Sequence, residues 1–224
     1  MRRGEGDRAA IDFARARTVA ARLEWLQPFV SAGPVLDLGC IDERHPERIA
    51  GSLHAQLKRL NPELIGADVD RAAIEQVERL GFDVRWADAQ SSDLGGPYAA
   101  IVAGELIEHL EDPGRFLDNA RRALAPGGRL LLTTPNPFYA NQFAKILKHG
   151  APQVHAAHRA WFDPQTLAVL LASRGFALED FAWLAPSAGP LRTALARWRP
   201  YWCPAFAVAA RPAEQVGAGA PAPP

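Results

Sequence analysis

Val35-Leu36-Asp37-Leu38-Gly39-Cys40 is the stretch on which the fold turns. Val35 to Leu38 reads as a short apolar strand, and Gly39 closes it with a turn where backbone can approach a ligand closely. Downstream, Glu47 to Leu60 reads as a helix broken by Asn61-Pro62, and Leu64 to Ala67 as a second strand. Asp70 is placed to cap a helix over Arg71 to Leu80 that Gly81 ends. Asp83 to Trp86 gives a third strand. Ala99 to Ala103 gives a fourth, whose lack of alternation implies burial on both faces. A helix over Pro113 to Ala125 ends at Pro126-Gly127-Gly128, and Arg129 to Thr134 forms a fifth strand before Pro135-Asn136-Pro137.

Strand and helix therefore alternate, which predicts parallel βαβ units with right-handed crossovers. A short helix over Phe138 to Lys148, a His-containing loop and a helix over Pro164 to Arg174 follow, the last capped by Asp163 and ended by Gly175. Phe176 to Trp183 and Ala205 to Ala209 read as two late strands. The expected architecture is a single α/β domain over 31–211. It is Rossmann-like and doubly wound, with a mostly parallel seven-stranded sheet and an antiparallel late strand. Before it, Ile11, Val19, Leu23 and Leu26 make an apolar stripe that predicts one helix from Asp7 to Leu26, stopped by Pro28. Residues 1–30 are then a lid or a homodimer surface. Residues 212–224, rich in Gly, Ala and Pro, are expected to be a disordered tail.

The 224 residues suffice for one such domain, and Lys+Arg and Asp+Glu are both 25. A net charge of zero argues against a polyanion as main partner, so nucleic acid is not expected. Two cysteines, Cys40 and Cys203, imply no disulfide framework. The charged start of the chain lacks a secretory apolar stretch, and no apolar run is long enough to span a membrane. The expected location is cytoplasmic.

Ligands of an open parallel sheet sit beyond the carboxyl ends of the strands, where the strand order reverses. Those ends carry Asp37 and Gly39, then Asp68 and Asp70, then Asp88 and Ala89, then Gly104 and Glu105. A carboxylate at the second end suits a pair of ribose hydroxyls and repels a 2′-phosphate. One strand-end Asp is as often a helix cap as a ligand group; four such ends in one register point to a nucleoside pocket.

The run from Val35 to Cys40 resembles the first motif of class I S-adenosylmethionine-dependent methyltransferases. Gly66-Ala-Asp-Val-Asp70 and Ala87-Asp-Ala89 resemble the second and third. Tyr98 to Pro137, including Leu124-Ala-Pro-Gly-Gly128 and Thr133-Thr-Pro-Asn136, is similar to the later motifs. The resemblance implies that S-adenosylmethionine is bound by Asp37 and Gly39 at its methionine end, with Gly104 beside them. Asp68 then takes the ribose, and Asp88 and Ala89 the adenine. One departure stands out: Ile41-Asp42-Glu43-Arg44-His45-Pro46 replaces the family's further glycines, and Ile41 and Glu43 are expected to reshape the loop.

Glu105, Glu108 and His109 lie at the mouth of the fourth strand, and His155 and His158 about fifty residues later. Spacing alone leaves two readings open. One is a divalent-ion site; the other is a set of carboxylates favoured by a helix N-terminus, with His109 packed on the sheet edge. Glu105-Leu-Ile-Glu-His109 with His158-Arg-Ala-Trp161 resembles the metal-binding pattern of small-RNA 2′-O-methyltransferases and a segment of ubiquinone-biosynthesis O-methyltransferases. That resemblance implies Mg or another divalent cation on Glu105, Glu108, His109 and His158. Without a metal, His109 or His158 is the candidate catalytic base. The expected reaction is O-methylation of a small hydroxylated acceptor. Its contacts are sought in Phe138, Tyr139, Asn141, His149, Trp161 and Phe162, and in the cation–aromatic cluster Arg192, Arg197, Trp198, Arg199, Tyr201 and Trp202. The alternatives are an RNA 2′-O-methyltransferase and a non-catalytic nucleotide-binding module. A nicotinamide oxidoreductase lacks its Gly-x-Gly-x-x-Gly turn here.

Overall fold

The computed structural model describes residues 11–42, 44–186, 194, 196 and 198–213. Glu43, Arg192 and Arg197, residues 7–10 of the expected first helix and residues 214–224 of the expected tail lie outside the described residues.

The strands are β1 (Thr18–Val19), β2 (Val35–Leu38), β3 (Ile65–Asp68), β4 (Val84–Trp86), β5 (Tyr98–Gly104), β6 (Leu124–Pro135), β7 (Phe176–Leu184) and β8 (Ala205–Pro212). They form one eight-stranded sheet in the order β1-β7-β8-β6-β5-β2-β3-β4. β8 runs antiparallel to β6 and β7, and every other neighbouring pair is parallel. The alternating pattern thus forms the expected Rossmann-like sheet with its antiparallel late strand, and β1 raises the strand number from seven to eight. The order reverses at β2, which pairs with β3 on one side (Leu38 opposite Ala67) and β5 on the other (Leu38 opposite Ala103).

Helices cover both faces, as β5 requires with Ala100 to Ala103 all at 0–1% exposure. On one face α1 (Arg22–Val30) and α2 (Leu53–Leu60) bury Trp25, Leu26, Val30 and Leu57 against Val35, Ala100 and Val102. On the other, α4 (Pro113–Ala123) and α6 (Pro164–Ser173) bury Phe116, Leu117, Leu167 and Leu171 against Leu36, Ile101 and Leu130. Each large apolar side chain so removed from water contributes about 1.5–3 kcal/mol before chain entropy is counted. The helix α3 (Arg71–Arg79) packs Ile74 and Val77 on Val84 and Ile49, and α5 (Ala140–His149) buries none of its residues. The predicted caps form. Asp70 accepts from Ala72 N and Ala73 N, and Asp163 makes a reciprocal box with Thr166.

Two elements differ from the sequence pattern. Residues 11–26 are not one helix: β1 lies on the sheet edge, and α1 begins only at Arg22. Tertiary bonds override the stripe. Trp183 N donates to Arg17 O, Ala185 N to Val19 O, and Trp25 Nε1 to Asp180 Oδ2 at 2.8 Å. Pro28 lies inside α1, whose last turn is held by the fully buried Val30. The helix expected over Glu47 to Leu60 divides at Ser52. That residue is extended and caps α2 through Ala55 N, leaving a 3-10 turn at Pro46–Gly51.

Ile101 tests this core. Ile101→Ala removes a fully buried side chain from the central strand and should cost roughly 2–5 kcal/mol in urea unfolding with an unchanged denaturant slope. A loss below about 1 kcal/mol would contradict the close packing of both faces.

Candidate functional site

Asp37, Gly39, Asp68, Asp88, Ala89, Gly104, Glu105, Glu108, His109 and His158 all line one cleft of about 700 Å³ at the carboxyl ends of β2, β3 and β5. Its lining carries eight carboxylates (Asp37, Asp42, Asp68, Asp70, Asp88, Glu105, Glu108, Glu111) against three guanidiniums (Arg22, Arg44, Arg159). The field is therefore negative. Burial, then the charges of Asp37 and Asp68, push the Cys40 thiol well above its ordinary range.

Asp37 is buried in β2 and accepts from His54 Nδ1 at 2.9 Å. The His54 ring lies over Gly66 of β3; a Cβ there would come within 2.7 Å of the imidazole, so a glycine is required. Gly39 has φ +67°, and a Cβ would meet Leu106 at 3.0 Å. Asp68 closes β3. Ile41 N donates to its Oδ2 and Asp70 N to its Oδ1, both at 3.1 Å. From the loop after Gly39, the backbone N–H of Ile41 thus clamps the Asp68 carboxylate. Burial raises the pKa of Asp68, against those two N–H donors. Four lone-pair sites minus two leave acceptors for a pair of hydroxyls.

Asp88 accepts from Gln90 N and Ser91 Oγ. Burial opposes its charge, but the bonds from Ser91 and Gln90 and the charge of Arg115 outweigh it, so its carboxyl stays below the usual range. Ala89 is buried beside it, with its carbonyl taken by Asn119 Nδ2. Gly104, ending β5, backs onto Arg22; a Cβ would stand 3.3 Å from that guanidinium.

Glu105 and Glu108 do not sit together on a helical turn. Glu105 has φ +54°, a left-handed backbone that costs a non-glycine residue on the order of 1 kcal/mol or more. Its N–H donates to Thr133 O, and its carboxylate pairs with Arg22 at 3.1 Å. Glu108 lies in a 3-10 turn, Ile107–His109, at 1% exposure. Thr134 Oγ1 donates to its Oε2 at 3.0 Å, and its Oε1 has no partner among the described residues. Burial, then the charge of Glu105, raise its pKa to about 7, with Thr134 and Arg22 pulling the other way.

The Glu108 carbonyl accepts from Arg159 N (2.8 Å) and Ala160 N (3.2 Å), and Arg159 pairs with Glu111 at 3.1 Å. These contacts dock the loop between α5 and α6 on the 3-10 turn. His158 thereby reaches His109, with ring centroids 4.7 Å apart, edge to face. His155 joins them at 5.7 Å from His109 and 5.3 Å from His158. Burial, then the neighbouring imidazoles, lower the pKa of His158. Among the described residues, the ligand atoms that come within 4.8 Å of one another belong to His109, His155 and His158. The sequence-predicted set of Glu105, Glu108, His109 and His158 is brought to one cleft but not to one point. Glu105 pairs with Arg22 and Glu108 accepts from Thr134, while the Oε1 of each makes no hydrogen bond among the described residues.

Sequence reasoning missed Arg22 and His54. A histidine among apolar positions of an expected helix is the trace that His54 leaves; Arg22 leaves none, because the apolar stripe starts its helix too early. Of the acceptor-side candidates, Trp161 joins Pro135, Asn136, Gln142, Val154, His155 and His158 around a second cavity of about 40 Å³. Phe138 is exposed, whereas Tyr201 packs on Trp183 in a tilted pair with ring centroids 4.8 Å apart, and Phe162 packs on the core. Arg199 lies over the exposed Trp198 ring at 4.4 Å.

A family model described as a methyltransferase domain matches residues 11–180. The ubiquinone biosynthesis O-methyltransferase of Xanthomonas axonopodis pv. citri is 28% identical over 183 residues, covering 76% of this chain and 72% of that protein. Its namesake in Xylella fastidiosa is 28% identical over 172 residues, covering 71% and 68%. Among solved structures, an S-adenosylmethionine-dependent methyltransferase from Mesorhizobium loti superposes with a TM-score of 0.58 at 18% identity, over 84% of this chain and 95% of that one. Magnesium protoporphyrin IX methyltransferase from Synechocystis, with bound SAH, gives 0.58 at 15% identity, over 84% and 78%.

Glu108 predicts a pH signature of stability. Its folded pKa of about 7 lies above the ordinary 4.5, so between these values the native state holds more protons than the unfolded chain. Stability from this group is complete below about 4.5 and is lost as pH rises through about 7. Glu108→Gln keeps the Thr134 bond and removes the titration. In urea unfolding with chelator present, its advantage over wild type should grow by roughly 2–3 kcal/mol from about pH 5 to about pH 8. A pH-independent difference would refute the perturbed carboxyl.

Proposed function

The chain belongs to the class I S-adenosylmethionine-dependent methyltransferases, and on that footing we propose that it methylates a hydroxyl of a small metabolite. The observation that carries this reading is the convergence of Asp37, Asp68, Asp88 and the His109–His158 pair on one cleft. The carboxylates suit a donor that bears a sulfonium and an ammonium, and the imidazoles suit an acceptor that must lose a proton. The ubiquinone biosynthesis O-methyltransferases, at 28% identity, support oxygen as the accepting atom.

In this reading Asp68 accepts from both ribose hydroxyls. Asp88 and the Ala89 backbone receive the adenine edge. Asp37, held by His54, faces the methionine amine across the Gly39 turn, with Gly104 leaving room on the β5 side. Arg22 keeps its pair with Glu105 at 3.1 Å and presents its remaining N–H groups to the methionine carboxylate. The donor supplies a methyl group activated by its positive sulfur. The chain contributes alignment and deprotonation. The acceptor oxygen forms the C–O bond as the C–S bond breaks, and with no ion on the imidazoles its proton passes to His109 or His158; burial and the neighbouring imidazoles lower the pKa of His158, which favours its free base. The cavity beside Trp161 and Val154 suits an apolar portion of the acceptor. The RNA alternative is disfavoured by eight carboxylates facing three guanidiniums in the cleft, since a phosphate backbone would be repelled. A non-catalytic module would transfer no labelled methyl group to hydroxylated acceptors.

Asp68→Ala should weaken S-adenosylmethionine binding by about a hundredfold in calorimetry, the loss expected for two charge-assisted hydrogen bonds. His158→Gln should lower kcat while cofactor affinity holds. Unchanged affinity in Asp68→Ala would remove the ribose assignment.

A further inference from the structure

The carboxylate-containing ion site implied by sequence resemblance does not fit this chain. Glu105 pairs with Arg22 at 3.1 Å and Glu108 is buried against Thr134, and although the Oε1 of each makes no hydrogen bond among the described residues, neither carboxylate joins the cluster of mutually close ligand atoms. A different donor set is gathered at the same end of the cleft. We propose that His109, His155 and His158 form a three-imidazole site for a borderline divalent transition metal such as Zn²⁺ or Co²⁺, with its open position facing the acceptor.

The geometry is close to what such an ion needs. One ligand atom from each ring lies within 4.8 Å of the other two. An ion bound at about 2.0–2.1 Å by three imidazoles brings their nitrogens to roughly 3.3 Å, a closure within reach of side-chain rotation. The scaffold is tied down independently of any ion. His109 is part of the 3-10 turn after β5, and His158 N donates to His155 O at 3.0 Å, closing the loop on itself.

Ala157 N donates to His155 Nδ1 at 3.2 Å, a local bond that fixes the loop between His155 and His158. Three neutral nitrogens favour Zn²⁺, Co²⁺, Ni²⁺ or Cu²⁺, whereas Mg²⁺ and Ca²⁺ need oxygen donors. Three protein ligands and an open position are the arrangement of a site that receives a substrate oxygen. That last role rests on the O-methylation reading; the binding of the ion does not.

The test uses the full chain, free of any affinity tag, stripped with chelator and titrated with Co²⁺ while visible absorption is followed. One equivalent should bind with the intense bands of a low-coordinate site. Zn²⁺ should displace it, and a thousandfold excess of Mg²⁺ should not. His109→Gln, His155→Gln and His158→Gln should each weaken Co²⁺ binding about tenfold or more, whereas Glu105→Gln should leave it unchanged. Calorimetry with S-adenosylmethionine on the same variants reports folding and the cofactor pocket separately. Loss of Co²⁺ binding with the cofactor still bound supports the site. No Co²⁺ uptake by a wild-type protein that binds S-adenosylmethionine would overturn it. So would retained affinity in His155→Gln together with a loss in Glu105→Gln, because the site would then be built on carboxylates.

Discussion

β2 is hydrogen-bonded in parallel between β3 and β5, and the residues at the tips of these strands take their position from that pairing. Parallel neighbours end on the same edge of the sheet, so Gly39, Asp68 and Gly104 emerge together. The crossover after β2 leads to β3 on one side and that after β5 leads to β6 on the other, so no helix covers the gap between these two strand ends. The cleft is the space that this topology leaves open. The cores on both faces make it rigid, since β5 is buried on either side from Ala100 to Ala103.

The cleft carries more negative charge than its burial favours, and the chain offsets this with local donors. His54 supports Asp37, two backbone N–H groups support Asp68, and Ser91 and Gln90 support Asp88. Glu108 has the weakest support, a single Thr134 hydroxyl, so burial and then the charge of Glu105 raise its pKa to about 7. The loop after Gly39 lacks the family's further glycines, yet Ile41 N reaches back from it to Asp68. The departure from the family pattern therefore replaces one form of backbone contact by another.

The acceptor end depends on a different kind of bond. Two N–H groups, from Arg159 and Ala160, converge on the carbonyl of Glu108 and join segments about fifty residues apart. That junction brings three imidazoles together and shares their walls between the large cleft and the small cavity next to Trp161. The large cleft and the small cavity therefore meet at His155 and His158.

Much of this was legible from the chain alone. The alternation of apolar runs with capped helices specified a parallel α/β sheet, because those periods bury only in such layers. The caps at Asp70 and Asp163 were readable because capping is a local bond spanning two or three residues. The strand-tip residues Asp37, Asp68, Asp88 and Gly104 were readable because parallel strands bring their ends to one edge. Tertiary structure alone decided the rest. β1 exists only through bonds to β7, since two residues carry no periodic signal. Arg22 and His54 enter the cleft from helices on the packed face. Glu105 pairs with Arg22 and Glu108 accepts from Thr134, and it is His155 that joins His109 and His158. Sequence spacing fixes which residues share a turn; which side chains share a point depends on bonds between segments distant in the chain, and those form only when the sheet closes.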